Sequence, residues 1–269
     1  MTDLFNLRDR VIVVTGGLGQ LGRQFTKSLV AAGARVAVFD LDGQHAVAEQ
    51  YFTELADRWC YIGVDVTSRT SLEEGLRQVV ARWGPPFGLV NNAALDSPPD
   101  APLAENGPFE TYPEASFDRV MDVNVKGVFL CCQVIGAAIA AAGRGSIVNV
   151  SSMYGLVSPD QRIYDYRRTA GHPFFKPVAY SISKSSLYNL TRYLATYWAA
   201  TTVRVNTVTF AGVFNGQDEQ FLAEYCRHVP LGRMASEEEY NGALIFLMSD
   251  ASGYMTGSNL VIDGGWTAW

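Results

Sequence analysis

The sequence is short of positive charge. Its 21 Lys and Arg residues are outnumbered by 27 Asp and Glu residues, which gives a formal net charge of −6 and an isoelectric point near 5.1. Proteins that gather nucleic acid usually carry a basic patch or stripe. The charge balance therefore predicts no nucleic-acid partner and favours a small-molecule substrate.

Cysteine and histidine are also scarce. The four cysteines show neither CxxC spacing nor the density of a disulfide framework: Cys60, Cys131, Cys132 and Cys226. The three histidines form no spaced cluster with Asp or Glu, so we expect no bound metal. Free thiols are typical of a reducing compartment, and we expect a cytoplasmic protein.

Long apolar runs are missing as well. No uninterrupted run reaches the roughly 18 residues that a membrane-spanning helix needs. The N-terminal stretch, MTDLFNLRDR, is polar and mixed in charge, unlike a secretion signal. The sequence therefore predicts neither a signal peptide nor a membrane partner.

Apolar residues are nevertheless abundant. Hydrophobic residues make up 48% of the chain and aromatic residues 12%, enough for a large buried core. The chain has 269 residues, and no Ser/Gly-rich or highly charged linker divides it. We expect one domain over residues 1–269.

Short runs rich in Val and Ile alternate with segments of helical periodicity. The predicted strands are residues 11–15, 35–40, 61–66, 88–91, 146–151, 203–209 and 259–262. Two pairs, Ser236 with Glu239 and Thr70 with Glu73, have the spacing of a capping box at a helix start. Continuous apolar strands separated by helices predict an α/β, doubly wound fold with a parallel sheet of roughly seven strands and helices on both faces.

A glycine-rich segment joins the first predicted strand to the first helix. It reads TGGLGQLG over residues 15–22 and includes Gly16, Leu18, Gly19, Gln20, Leu21 and Gly22. Without Cβ atoms the backbone can approach a pyrophosphate, whose charge is favoured at a helix N-terminus. This loop predicts a dinucleotide-binding site.

Asp40 ends the second predicted strand. A carboxylate in this position can accept hydrogen bonds from the adenosine ribose 2′-hydroxyl and would repel a 2′-phosphate. The sequence therefore predicts NAD rather than NADP as cofactor. The alternative is an ordinary carboxylate at a strand end.

Residues 151–184 contain four tyrosines, of which one has a suitable neighbour. A tyrosine exchanges protons near neutral pH only if its pKa, ordinarily about 10, is lowered, as a nearby cation does. Tyr180 has Lys184 four residues later, on the same face of a predicted helix. Tyr164 has Arg168 at that spacing, but its segment is broken by Gly and Pro. We therefore predict Tyr180 as the reactive tyrosine, the alternative being an incidental pair on a solvated helix.

These motifs together resemble the short-chain dehydrogenase/reductase family along the whole chain. The resemblance also rests on Asp65-Val66, Asn91-Asn92-Ala93-Ala94, Asn124-Val125-Lys126-Gly127, Ser151-Ser152, Thr256-Gly257 and Asp263-Gly264-Gly265. It implies a Rossmann-type fold and an enzyme that interconverts a secondary alcohol and a ketone by hydride transfer. More loosely, the chain is similar to members acting on sugars in surface-glycan or flagellin-modification pathways.

Two departures from the family pattern stand out. The glycine spacing at residues 16, 19 and 22 is that of the longer nucleotide-sugar branch, although the length of the chain favours the shorter, single-domain branch. After the sixth predicted strand, residues 210–215 lack the usual Pro-Gly followed by Thr.

The resemblance implies roles for individual residues. Tyr180 would be the general acid/base, and Lys184 would lower its pKa and bind the nicotinamide ribose. Ser152 would hydrogen-bond the reacting oxygen, with Ser151 as the alternative, and Asn124 would hold a water that links Lys184 to solvent. Further cofactor contacts would come from Leu41, Asp65, Val66, Asn92, Ala93, Ala94 and Val213.

The stretch between Ser152 and Tyr180 is longer than in many relatives, and the extra residues fall near 158–177. Arginines suit phosphate or carboxylate groups, and aromatic faces suit sugar rings. We expect this insertion to bind a polyhydroxylated substrate, with phosphate- or carboxylate-bearing forms among the candidates, through Tyr154, Arg162, Arg167, Arg168 and His172. Alternatively, its aromatic residues pack it onto the domain or a neighbouring subunit while its arginines face water.

The sequence thus predicts an NAD-dependent dehydrogenase of a sugar or sugar derivative. A ketoacyl or other carbonyl reductase and a non-catalytic NAD-sensing protein are the alternatives. The apolar tail carrying Trp266 and Trp269 suggests burial by another subunit and a homo-tetramer or homo-dimer. The alternative is a tail that folds back onto a monomer.

Overall fold

Seven parallel strands form one sheet at the centre of the computed structural model, which describes residues 3–96, 103–171 and 174–269. The strand order is β3-β2-β1-β4-β5-β6-β7, so the order reverses between β1 and β4. The strands are β1 Val11–Thr15, β2 Arg35–Asp40, β3 Trp59–Gly63, β4 Gly88–Asn91, β5 Arg144–Ser152, β6 Thr202–Phe210 and β7 Asn259–Ile262. This sheet confirms the predicted fold class.

Seven helices of eight residues or more flank the sheet within the described ranges. They are α1 Gln20–Ala31, α2 His45–Phe52, α3 Arg69–Trp83, α4 Glu114–Ala141, α5 Val178–Tyr197, α6 Glu219–Arg227 and α7 Asn241–Met248. Two π-helical turns, Asp122–Gly127 and Cys132–Gly136, interrupt α4. Shorter helical turns are Thr53–Arg58, Leu103–Asn106, Phe109–Thr111, Met153–Leu156, Gln161–Tyr164, Asp165–Thr169, Asp250–Ser252 and Trp266–Ala268.

The side chains of β1 show that both faces of the sheet are covered. Ile12 and Val14 belong to a buried cluster with residues of α1, α2 and α7. Val11 and Val13 belong to a second cluster with residues of α3, α4 and α5. Successive strand residues point to opposite faces, so a strand buried on both sides is apolar throughout.

Helix α4 is long and apolar enough to cross a membrane by length and composition. It spans 28 residues. Polar residues interrupt its apolar sequence, so the absence of an uninterrupted apolar run did not reveal it. Its buried side chains, among them Leu130, Ile135 and Ile139, join the cluster that includes Ile147 of β5 and Leu187 of α5. These contacts are those of a core helix.

Three local predictions were wrong in detail. Strand β3 covers Trp59–Gly63 rather than 61–66, because it pairs with β2, whose last residue Asp40 lies opposite Gly63. Ser68 rather than Thr70 caps α3, by accepting a hydrogen bond from the backbone of Ser71. The backbone N–H of Ser236 does donate to the Glu239 carboxylate (2.8 Å), but α7 begins only at Asn241.

A chain of buried polar side chains joins α5 to the sheet. Asn91 of β4 donates to Asn149 of β5 (2.8 Å), and Asn149 donates to Thr191 of α5 (2.8 Å). The Thr191 hydroxyl lies 2.7 Å from that of Thr207 on β6. Buried networks of this kind specify one arrangement of the elements they connect. The position of α5 is therefore set by three neighbouring strands.

We expect Asn149→Ala to lower the free energy of unfolding by about 2–4 kcal/mol, because it removes two hydrogen bonds and leaves buried partners behind at about 1–3 kcal/mol each. Denaturant unfolding measures the change. Arg192→Ala, at an exposed position of α5, is the control and should change stability by less than about 0.5 kcal/mol. Equal effects of the two substitutions would contradict a structural role for this network of buried hydrogen bonds.

Candidate active site

The glycine loop is packed so closely that two of its positions exclude a side chain. Gly16 has φ +60°, and a Cβ there would lie 2.7 Å from the Cα of Ala93. A Cβ on Gly22 would lie 2.2 Å from the carbonyl oxygen of Gly16. Gly19 precedes α1, and no side chain caps that helix N-terminus. The backbone N–H groups at the start of α1 can therefore bind a phosphate.

A cleft of about 680 Å³ lies along this loop and the carboxyl ends of β1 to β4. Most of the predicted cofactor residues line it: Gly16, Leu18, Gly19, Gln20, Leu21, Asp40, Leu41, Asp65, Val66, Asn92, Ala93 and Ala94. The bare glycine loop and the carboxylate at the strand end suit the phosphates and the ribose of a nicotinamide dinucleotide. The residues present therefore fit such a cofactor.

Two backbone donors hold the Asp40 side chain at the edge of this cleft. One carboxylate oxygen accepts a hydrogen bond from the N–H of Leu18 (2.9 Å) and the other from the N–H of Leu41 (2.9 Å). Asp40 thus braces the glycine loop. A carboxylate has about four acceptor positions, so capacity remains for a ribose hydroxyl.

A second cavity, of about 360 Å³, adjoins the cleft at the carboxyl ends of β5 and β6. Gln20, Leu21, Asn92, Ala94 and Asp96 line both spaces. The structure brings together here five residues that the sequence predicted: Ser152, Tyr154, Tyr180, Lys184 and Val213. We call this space the reaction cavity.

Burial raises the pKa of Tyr180 well above its usual value, and the carboxylate of Asp96 raises it further, whereas a hydrogen bond with Ser152 lowers it. The ammonium of Lys184 lies 5.8 Å from the centre of the Tyr180 ring and donates to the carbonyl oxygen of Val150 (2.8 Å). The predicted effect of Lys184 on the pKa of Tyr180 stays a prediction. Burial also lowers the pKa of Lys184 itself to about 8.

Asn124 lies in the first π-helical turn of α4, where its side chain clamps another segment. The amide oxygen accepts from the N–H of Leu95 (2.7 Å), and the amide nitrogen donates to the carbonyl oxygen of Leu95 (2.9 Å) and to Ser183 (3.0 Å). Both amide protons are therefore engaged. The side chain fixes the segment after β4 next to α5, and the water-holding role of Asn124 stays a prediction.

The three arginines predicted to bind substrate do not line the reaction cavity. Each forms an ion pair with a carboxylate outside it: Arg162 with Asp160, Arg167 with Asp218 and Arg168 with Asp165. These carboxylates neutralise the arginines, two from nearby in the sequence and one, Asp218, from a distant segment. His172 lies outside the described residues.

The aromatic residues of the insertion pack it onto the rest of the chain. Tyr164 and Phe174 contact each other, with ring centres 4.4 Å apart, and Tyr164 lies 5.8 Å from Phe221 of α6. Trp266 is buried in the same cluster, within 4.8 Å of the ring centre of Tyr225. The aromatic residues thus pack the insertion onto the domain, as the alternative interpretation of the sequence proposed. Trp266 is buried by residues of its own chain, without a second subunit.

Several residues that line the reaction cavity were not predicted as site residues, among them Asp96, Tyr164 and Lys176. Lys176 offered a weak signal, since it lies four residues before Tyr180 and directly before Pro177, the residue that caps the N-terminus of α5. Asp96 offered none, because its contact with Lys176 joins segments far apart in sequence.

Comparison with known proteins gives the family of this chain. A family model described as enoyl-(acyl carrier protein) reductase matches residues 19–267. The NAD-dependent glycerol dehydrogenase of Listeria innocua is 30% identical, across 98% of this chain and 96% of that protein. The D-threitol dehydrogenase of Mycolicibacterium smegmatis is 31% identical, across 98% of this chain and 95% of that protein. A short-chain dehydrogenase from Leptospira borgpetersenii, crystallised with bound NAD⁺, is 30% identical with a TM-score of 0.83, across 99% of this chain and 96% of that one.

The fold, the glycine loop and the reaction cavity define a nicotinamide-dependent oxidoreductase that acts on CH–OH groups. The chain belongs to the short-chain dehydrogenase/reductase family, as its motifs predicted.

We expect Asp96→Asn to move the acidic limb of the pH profile for alcohol oxidation to lower pH by roughly one unit. As the predicted general acid/base, Tyr180 would have to be ionised for oxidation, so the rate should rise as the pH passes the pKa of that tyrosine. The Asp96 carboxylate raises this pKa, and its neutralisation therefore lowers it. The measurement is kcat/KM against pH.

Asp57→Asn is the matched control, because Asp57 precedes β3 at the opposite edge of the sheet. It should leave the profile in place. A limb that does not move in Asp96→Asn would show that Asp96 does not act on the ionisation of Tyr180.

Proposed function

We propose that this protein is an NAD-dependent dehydrogenase that interconverts a secondary alcohol and a ketone on a sugar or sugar derivative. The observation that carries the proposal is the meeting of Ser152, Tyr180 and Lys184 in one cavity that continues into the nucleotide cleft. A binding protein without catalysis would have no use for a proton-transfer group at that junction.

Tyr180 and Ser152 have different roles in the proposed reaction. In oxidation, Tyr180 takes the proton of the substrate hydroxyl, and Ser152 donates a hydrogen bond to the oxygen as it becomes a carbonyl. A bound nicotinamide supplies the hydride acceptor. The raised pKa of Tyr180 favours its protonated form, which is the form that donates to a ketone. Reduction is therefore favoured at neutral pH, and oxidation at higher pH.

NAD is the proposed cofactor because of Asp40. Its carboxylate lines the cleft and is held by the N–H groups of Leu18 and Leu41, so it cannot swing away easily from a 2′-phosphate. Two similar proteins support the choice by name: the glycerol dehydrogenase is NAD-dependent, and the Leptospira structure contains NAD⁺.

Asp40→Asn should raise the ratio of kcat/KM with NADP to kcat/KM with NAD by at least about tenfold, because the repulsion of the 2′-phosphate is removed and the shape is kept. Initial rates with both cofactors give the ratio. Asp42→Asn, a nearby change at an exposed carboxylate that does not line the cleft, is the control. A ratio unchanged in Asp40→Asn would argue against the NAD assignment.

A polyhydroxylated substrate is proposed because the cavity combines polar groups with aromatic rings. Ser152, Asp96 and Lys176 offer hydrogen-bond donors and acceptors, and the rings of Tyr154 and Tyr164 form part of the wall. The names of two similar proteins, glycerol dehydrogenase and D-threitol dehydrogenase, are consistent with this class.

Rates of NADH formation with a panel of compounds distinguish sugar substrates from acyl substrates. We expect NADH formation with polyols, sugar acids or sugar phosphates and none with hydroxyacyl compounds. Activity confined to the acyl compounds would favour the carbonyl-reductase alternative instead.

A homo-tetramer or homo-dimer stays a prediction, supported by the exposed rings of Phe129, Tyr193 and Tyr197 on α4 and α5.

Tyr180→Phe should lower kcat by at least about 100-fold, the usual effect of losing a general acid/base. NAD binding, followed by calorimetry, should be kept, because the hydroxyl is not part of the nucleotide cleft. Tyr193→Phe, an exposed change on the same helix, is the control and should be fully active. Full turnover by Tyr180→Phe would remove the tyrosine from the mechanism.

A further inference from the structure

An ion pair lies on the wall of the reaction cavity beside Tyr180. The ammonium of Lys176 is 2.5 Å from a carboxylate oxygen of Asp96 and 4.8 Å from the centre of the Tyr180 ring. The Lys176 side chain is 9% exposed and the Asp96 side chain 57% exposed, and both members of the pair line the cavity. The pair is thus close enough to the reactive tyrosine to contact the substrate.

Lys176 is fixed by its backbone. Its N–H donates to the side-chain oxygen of Gln161 (2.9 Å), and its carbonyl oxygen accepts from the side-chain nitrogen of Gln161 (3.2 Å). Pro177 follows at the N-terminus of α5 and restricts the backbone further. The insertion therefore presents this cation from an anchored position.

Asp96 is fixed in a comparable way. The residue before it, Leu95, exchanges two backbone hydrogen bonds with the side chain of Asn124. Two separate amide clamps thus bring Lys176 and Asp96 together from distant parts of the chain. Such anchoring lowers the entropy that an ion pair loses on formation.

The charges around the cavity determine which substrates are accepted. Among the described residues that line it, the cations are Lys176 and Lys184 and the anion is Asp96. Lys184 already donates to the carbonyl oxygen of Val150, and the ammonium of Lys176 is neutralised by Asp96. A substrate carboxylate that approached Lys176 would therefore lie beside a fixed carboxylate, and like charges in a partly desolvated site repel each other.

We propose that the Lys176–Asp96 pair selects neutral polyols over sugar acids, an inference that rests on the proposed function. A hydroxyl group of a polyol donates to Asp96 and accepts from Lys176, so it matches both members of the pair. A carboxylate satisfies Lys176 alone and is repelled by Asp96. The substrate class is accordingly an uncharged polyol or sugar rather than the anionic one that the insertion suggested.

The test compares D-threitol with D-threonate, which differ by one carboxylate, in binding to the complex of the protein with NADH. Wild type should bind threitol more tightly. Asp96→Asn should shift the ratio of the two dissociation constants by at least about tenfold towards threonate, because Lys176 is no longer neutralised. Lys176→Met should weaken threitol binding without any gain for threonate. Calorimetry or competition measures each constant at one fixed pH and again one unit higher, so that a change in Tyr180 ionisation is separated from selectivity.

Arg162→Ala is the matched control, since it removes an insertion cation that pairs with Asp160 outside the cavity. It should leave the ratio unchanged. Tighter binding of threonate by wild type, or a ratio within twofold of wild type in Asp96→Asn, would overturn the proposal while leaving the dehydrogenase reaction intact. A shifted binding ratio in a protein that oxidises no polyol would support selection by the Lys176–Asp96 pair and reject the proposed function.

Discussion

The buried chain of hydrogen bonds between α5 and the sheet is the interaction on which the candidate site depends. Asn149 lies on β5, which ends at Ser152, and Thr191 lies on α5, which begins just before Tyr180. The same contact therefore sets the separation of the serine and the tyrosine. Apolar packing alone tolerates small shifts of a helix, whereas a satisfied polar network specifies one arrangement.

Much of the architecture could be predicted because its signals are local. Four strands have the expected bounds, namely Val11–Thr15, Arg35–Asp40, Gly88–Asn91 and Asn259–Ile262. In each case the apolar run and the strand end within one residue of each other. The glycine loop and the Tyr180–Lys184 spacing were equally readable, because their geometry is determined by adjacent or helical neighbours.

Contacts between distant segments could not be predicted in this way. Arg162 finds its carboxylate two residues away at Asp160, but the partner of Arg167 is Asp218. The ionisation of Tyr180 likewise depends on burial and on Asp96, neither of which follows from the presence of Lys184 four residues later. Sequence spacing indicates which side chains can meet, and only tertiary structure shows which of them do.

The insertion forms a wall of the site rather than a separate binding module. Tyr164 and Phe174 are buried against Phe221, and this apolar contact fixes the middle of the segment on α6. The three arginines that the sequence made prominent pair with carboxylates outside the reaction cavity, two of them within the insertion and Arg167 with Asp218. Lys176, at the anchored end next to α5, is the insertion cation that contacts the reaction cavity. Substrate selection therefore takes place where the insertion is most firmly held, because a selective contact needs a fixed position.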